Sequence, residues 1–395
     1  MNRKKIIIIV SVVTILTAII VGVYFGLENV SYIISPTPPS SGFPTAPSDQ
    51  NNQEGGEGVL YKDNETFSEK YTQEEYTIQK QNLSIISERE TNLFWVYKGD
   101  EIETFFISDD IVYVVSNAGE SVVGKVPRTG PYTVIQNFNG SFALVLFEYG
   151  SALFDSEKRA WSIIPFSFYS AAFSPNGEKV IFSDNASDQV RIFTVNIDNL
   201  ERTTLHAQIH AYNLLVDWLS SSSVVVYTPF SYDYESTAWS ININTNRVEK
   251  VFSGKGLNLI TNPNDNLIAR FVSETPLTIR ADVFSIDGSR SPLTLPFSTL
   301  ASKCSFYENV PSLICGIPYV LNKQAGVRLP DSYMQRDIYT KDEIYYIELN
   351  GSSPRLIFGV RDISLDVSNP ISMDDYFYFI NRLDNKLYRL DISHE

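Results

Sequence analysis

Residues Ala171–Asp184 read "AAFSPNGEKVIFSD". Ala171 and Phe173 occupy alternate positions, as one face of a strand requires. They lead into Ser174-Pro175-Asn176-Gly177, where Asn and Gly tolerate positive φ and suit a hairpin turn. Lys179 to Ser183 alternates again, and Asn185–Asp188 makes a second turn. Gln189–Asn196, "QVRIFTVN", predicts a third strand, and Thr203–His206 starts a fourth. Consecutive hairpins on so short a pitch form a meander.

The unit recurs imperfectly. Copies start at Phe106 ("FISDDIVYVV"), Asn139 ("NGSFALVLFEYGSALF"), Leu214 ("LLVDWLSSSSVVVYTPF") and Leu257, with the turn "NPNDN" before "LIARFV". Another begins "CSFYENVPSLICGI" at Cys304 and is completed by "DEIYYIEL" after an insertion. The last runs from Ile371 through "NRLDNKLYRLDI" to Ile392. The turn residues Ser174, Ser220 and Asn262 lie 46 and 42 residues apart. That period suits four-stranded blades set radially, which bury their apolar faces on one another and shorten the free edges. The expected fold class is all-β, a β-propeller of seven blades, with six or eight as alternatives. A β-sandwich would show no such period. Closing the ring needs one blade to combine strands from both ends of the chain, and "LFWVYKG" at Leu93–Gly99 is a candidate for that closing strand.

Composition agrees. Aromatic residues make up 13% of the 395-residue chain, with 23 Tyr and 24 Phe. Such side chains fit a pleated, half-buried surface. Residues 1–5 carry Arg3, Lys4 and Lys5 and read as a cytoplasmic basic tail. Residues 6–27, "IIIIVSVVTILTAIIVGVYFGL", are uncharged and long enough for one transmembrane signal-anchor helix. They exceed the apolar region of a cleaved signal, and no A-x-A-like site follows. The expected location is the cell membrane, single-pass, N-terminus inside. Gly22 and Gly26 have the spacing of a helix-dimerisation face, although glycine is common in such spans. Residues 28–75 form a Pro/Ser/Gly-rich and polar linker, and residues 76–395 the extracytoplasmic propeller. Beyond the basic tail the chain has 28 basic against 46 acidic residues, a formal charge of −18. So acidic a surface repels phosphate backbones and argues against a nucleic-acid partner.

"FSPNGEKVIF", Phe173–Phe182, resembles the WD40-like repeat of TolB-type propellers, written F-S-P-D-G before an apolar strand. More of the chain resembles uncharacterised membrane-anchored propeller proteins of small-genome bacterial candidate phyla. The most specific part is Lys303-Cys304, Cys315-Gly316-Ile317-Pro318, Leu329-Pro330-Asp331-Ser332-Tyr333 and Asp342-Glu343-Ile344, together with "FYFINRLDNKLYRLDI". The resemblance implies a propeller outside the membrane and no established activity. The tryptophan-aspartate dipeptide of true WD40 blades is missing.

Reactive constellations are sparse. Cys304 and Cys315 flank the turn "ENVPS", so a hairpin would set them opposite each other as a disulfide in an oxidising space; two buried thiols are the alternative. His206 and His210 would share a metal on a helix, but the local pattern is β, which holds them roughly 13 Å apart. Asp109-Asp110 and Asp374-Asp375 are paired acids, yet both fall at turns, where Asp is routine. There is no G-x-S-x-G elbow, P-loop, dinucleotide fingerprint or sialidase-type aspartate box. Six N-x-[ST] sequons occur, at Asn29, Asn64, Asn82, Asn139, Asn185 and Asn350, about the number chance provides in so Asn-, Ser- and Thr-rich a chain, and no role is assigned to them. No catalytic, cofactor-binding or metal residues are assigned, and no cofactor is expected. The insertion Leu321–Lys341 is the candidate binding loop, through Tyr333, Met334, Gln335 and Arg336, which include interface-enriched types. The expected function is non-catalytic binding of a protein or envelope glycan. The alternative is a carbohydrate-active hydrolase with carboxylates at the propeller channel.

Overall fold

The computed structural model describes residues 82–393, apart from 149, 166–167, 187–188, 206–208, 308–309, 320–325, 352 and 360–362. It has seven four-stranded antiparallel sheets. The first chain segment, β1 (Leu83–Ser87), belongs to the last blade. Blade 1 follows as β2 (Leu93–Lys98), β3 (Ile102–Ser108), β4 (Ile111–Ser116) and β5 (Gly119–Lys125). Blade 2 is β6 (Pro131–Gln136), β7 (Phe142–Phe147), β8 (Gly150–Asp155) and β9 (Ala160–Ile164). Blade 3 is β10 (Ser170–Phe173), β11 (Lys179–Ala186), β12 (Gln189–Asn196) and β13 (Arg202–Leu205). Blade 4 is β14 (Leu215–Ser220), β15 (Ser223–Tyr227), β16 (Glu235–Asn242) and β17 (Val248–Lys255). Blade 5 is β18 (Asn258–Asn262), β19 (Leu267–Thr275), β20 (Thr278–Ser285) and β21 (Leu293–Thr294). Blade 6 is β22 (Cys304–Tyr307), β23 (Ser312–Pro318), β24 (Asp342–Glu348) and β25 (Arg355–Phe358). Blade 7 is β26 (Val367–Met373), β27 (Tyr376–Asn381) and β28 (Lys386–Asp391), completed by β1.

This corrects the sequence expectation for closure. The closing strand is β1, with Leu83 opposite Leu390 and Ile85 opposite Tyr388. Leu93–Gly99 supplies the innermost strand of blade 1 instead. Its residues Leu93 to Val96 are buried in succession because an inner strand is covered on both faces, and that continuous burial gives it its apolar character.

The core is divided among the seams. Seven buried apolar clusters each combine residues from two neighbouring blades, one cluster per seam. The seam that closes the ring sets Phe94 and Phe106 of blade 1 against Tyr378 and Leu387 of blade 7. Polar ties cross seams too: Trp218 Nε1 donates to the Ala172 carbonyl at 3.1 Å and Trp95 Nε1 to Ser156 Oγ at 3.1 Å. A blade therefore has no complete core of its own.

The first-to-second-strand turns help fix this packing. In blade 3, Gly177 has φ 71° and its N–H donates to the Ser174 carbonyl at 2.8 Å. The equivalent turn of blade 2, Asn137–Gly140, leans on blade 1. A Cβ on Gly140 would lie 1.8 Å from the Val96 carbonyl oxygen, and φ there is 69°. Replacing Gly140 with alanine combines a left-handed backbone with a backbone clash, so we expect a loss of about 2–3 kcal/mol in urea unfolding. Gly288→Ala, also at positive φ but with open space around its Cβ, is expected to lose about 1 kcal/mol or less. Equal losses would show that the seam contact is unimportant.

No helix among the described residues is long and apolar enough to cross a membrane. The expected span at 6–27, with Gly22 and Gly26, and the linker at 28–75 lie outside the described residues.

Candidate functional site

The inner strands define two faces. The upper face is where they begin; it also carries the second-to-third-strand connections. The lower face is where they end. Lys303, Gly316, Tyr333 and Asp342 meet at the upper face, between blades 6 and 7. Lys303, which closes a 3-10 turn (Ala301–Lys303), is fully buried. Its Nζ donates to Asp342 Oδ2 at 2.5 Å, to Asp366 Oδ1 at 2.6 Å, to Thr340 Oγ1 at 2.8 Å and to the Val367 carbonyl at 3.1 Å. Arg382 Nη1 lies 3.8 Å from Asp366 Oδ2, so two cations balance two carboxylates. Burial opposes charge on Lys303, but the Asp342, Tyr333 and Asp366 fields outweigh it and raise its pKa. Asp366 is held below the usual carboxylate range; burial acts against this, and Lys303 is the main opposing influence. Burial pushes Asp342 up instead, and its Oδ1 has no hydrogen-bond partner. Gly316 makes room for the cluster, because a Cβ there would meet Val367 Cβ at 2.7 Å.

The insertion is anchored on this cluster. Its one-turn helix α1 (Asp331–Met334) points Tyr333 inward. The Tyr333 hydroxyl donates to Asp366 Oδ1 at 2.8 Å, and the Arg382 guanidinium stacks 3.9 Å from the ring centre. Burial pushes this phenol up to about 12, against the lowering field of Lys303. The insertion then reaches across blade 5, where Leu329 N–H donates to the Pro276 carbonyl at 2.7 Å. In blade 4, Asp331 Oδ2 accepts the Tyr232 N–H at 2.7 Å and Arg328 pairs with Asp233. One segment thus ties blades 4, 5, 6 and 7 together over the upper face.

The four residues assigned to this loop separate. Tyr333 is 2% exposed, so a molecule docking on the loop would meet Met334, Gln335 and Arg336, which are exposed. Cys304 and Cys315 are disulfide-bonded, directly opposite each other in the β22–β23 ladder with Cα atoms 4.1 Å apart. His210 is exposed and His206 lies outside the described residues. No grouping of three His, Cys, Asp or Glu residues suited to a metal ion occurs among the described residues. The two acid pairs fall on opposite faces. Asp109 and Asp110 form the β3–β4 turn above. Below, Asp374 pairs with Lys98, and Asp375 accepts from the Tyr307 hydroxyl at 3.3 Å. A paired-carboxylate site is not assembled from them.

A feature that the sequence reading missed is a tyrosine rim. Five tyrosines are exposed among the described residues: Tyr132, Tyr169, Tyr212, Tyr234 and Tyr339. All five lie at the upper face. Tyr169 is close enough to Tyr234 and Tyr132 for their charges to add to the upward push of burial on its pKa. Tyr132, Tyr169 and Tyr212 stand just before or at the start of the inner strand in three successive blades, 37 and 43 residues apart. That blade-length spacing was the available signal. Phe138 is the one exposed aromatic residue of the lower face among the described residues.

Solved structures resemble this chain in fold. The β-propeller domain of Cps50 (Swd1) from Myceliophteria thermophila matches with a TM-score of 0.51 at 10% identity, over 78% of this chain and 99% of that one. Oligogalacturonate lyase from Vibrio parahaemolyticus matches with 0.52 at 13% identity, over 78% and 91%. A prolyl endopeptidase matches with 0.51 at 12% identity over 84% of this chain. This chain spans about half the length of that enzyme, 52%. Likeness at such identities shows the fold alone, a β-propeller, and the seven sheets make it seven-bladed. No family profile and no curated protein matches the sequence.

Proposed function

We propose that this is a membrane-tethered, extracytoplasmic propeller that binds a protein or glycan of the cell envelope without transforming it. The tyrosine rim carries the reading: every exposed tyrosine among the described residues is on one face. Tyrosine gives a docking surface large apolar contact and a polar tip at little entropic cost. The uncharged segment 6–27 and the resemblance to anchored envelope propellers support the tether.

The test is crosslinking on intact cells followed by mass spectrometry. Tyr132→Ala, Tyr169→Ala and Tyr234→Ala combined are expected to reduce capture of the dominant species by about tenfold or more. Val310→Ala, in the β22–β23 turn of the other face, is expected to leave capture unchanged. Undiminished capture by the triple variant would overturn the reading. The second reading, a hydrolase, is favoured by one observation: Asp217 is a half-buried channel acid with a pKa raised by burial to about 6. Hydrolysis of captured glycan that stops in Asp217→Asn would establish it.

A further inference from the structure

The lower half of the channel is a cavity of about 300 Å³ formed where six inner strands end, at the small end of the range for ligand pockets. Asp217, midway along β14, is the one acid among its lining residues, and no Lys or Arg lines it. Asp217 Oδ1 accepts the Trp218 N–H at 2.8 Å and Oδ2 accepts Thr261 Oγ1 at 2.8 Å. Both donors are uncharged. A carboxylate partly withdrawn from water without a cation is costly, so this cavity favours a ligand that brings one. Phe138 and Phe306 also line it, and ring faces attract cations as well. Across the channel the Ser372 hydroxyl is buried with no hydrogen-bond partner. A primary ammonium has three donors to share among such acceptors.

We propose that the lower channel mouth binds a primary alkylammonium group, with Asp217 as its counter-ion. A lysyl side chain of a partner protein and a free diamine share this chemistry. The acidic balance of the chain favours both as they approach.

Few charges surround Asp217. The inner strands flanking it, β10 and β18, have no titratable side chain. On β15, Tyr227 feels the Asp217 charge and donates to Asn258 at 3.4 Å. On β11, Lys179 is exposed and Asp184 pairs with Arg191. At the lower rim Lys98 is paired with Asp374. Asp217 is therefore the group whose titration governs binding. Burial raises it to about 6, so the carboxylate form dominates above that pH and is lost below it.

The test is calorimetric titration of the full-length chain in detergent micelles with 1,5-diaminopentane, Nα-acetyl-lysine methylamide and 1-pentanol. Both amines are expected to bind at pH 7.5 and pentanol not to bind. Affinity should fall roughly tenfold at pH 5, as ionisation of Asp217 falls through its pKa. Asp217→Asn keeps an acceptor for the Trp218 N–H and is expected to lose at least about 30-fold; Asp109→Asn, on the other face, should lose nothing. Preference for the lysyl amide identifies a protein side chain as the source, and preference for the diamine a free polyamine. Should Asp217→Asn fail to fold, the pH dependence of the wild type decides. Equal binding of pentanol, absence of amine binding, or amine affinity unchanged at pH 5 would overturn the proposal.

Discussion

Replacing Lys303 with methionine is expected to destabilise the propeller by about 3–5 kcal/mol at neutral pH, the usual result of removing one partner from a buried ion cluster. Lys303 is fully buried and holds Asp342 and Asp366 at 2.5 and 2.6 Å. Without it, two carboxylates face one distant guanidinium. Methionine fills similar volume, so the loss reports charge rather than a void. The pH dependence separates the two. In the wild type the raised Lys303 pKa means its contribution is present throughout the neutral range and lost only in strong alkali. Asp366, held low, contributes above its unfolded pKa and loses that contribution as pH falls through its lower folded value. In the variant Asp366 is raised as well, and Asp342, already pushed up by burial, is raised further. Their folded forms then bind more protons than the unfolded chain, so stability falls as pH rises above about 4. The gap between variant and wild type should narrow towards pH 4 in urea titrations. Asp342 has the orphaned oxygen, so Lys303→Met with Asp342→Asn is expected to recover part of the loss. A gap that stays constant from pH 7 to pH 4 would assign the cost to packing alone.

The sequence revealed the architecture because the propeller repeats its physics. A polar turn and alternating strands recur at each blade, so even loose copies count towards seven. The disulfide was legible for a related reason: the turn between Cys304 and Cys315 sets their register. The insertion was harder. Tyr333 belongs to a set of interface-prone residues, and only the fold shows that Lys303, Asp366 and Arg382 converge on it from 30, 33 and 49 residues away. Such convergence has no local pattern. Lys303, Gly316, Tyr333 and Asp342, far apart in the sequence, belong to one buried junction. Leu93–Gly99 is an inner strand and apolar for that reason, whereas the strand that closes the ring is outermost. An outermost strand is covered on one face only and is correspondingly plain: in β1, "LSIIS", Ser87 alone is fully buried.

That plainness leads to the second large effect. Deleting Leu83–Ser87 is expected to cost on the order of 4 kcal/mol, at about 1 kcal/mol for each ladder hydrogen bond lost. β1 pairs with β28 through Leu83–Leu390, Ser84–Arg389, Ile85–Tyr388 and Ser87–Leu387. It is the only strand that ties the beginning of the described chain to its end across the closing blade. Without it blade 7 keeps three strands, and β28 becomes an exposed edge with unpaired backbone groups, which invites association. The expected outcome is a lower urea midpoint together with concentration-dependent oligomers in sedimentation. Adding the peptide Leu83–Ser87 in excess should raise the midpoint of the truncated chain, because it binds only the folded state. Deleting residues before Leu83 should leave the midpoint unchanged. If truncation through Ser87 also leaves it unchanged, the Phe94, Phe106, Tyr378 and Leu387 seam holds the ring closed by itself, and β1 is a dispensable cover rather than the strand that closes the propeller.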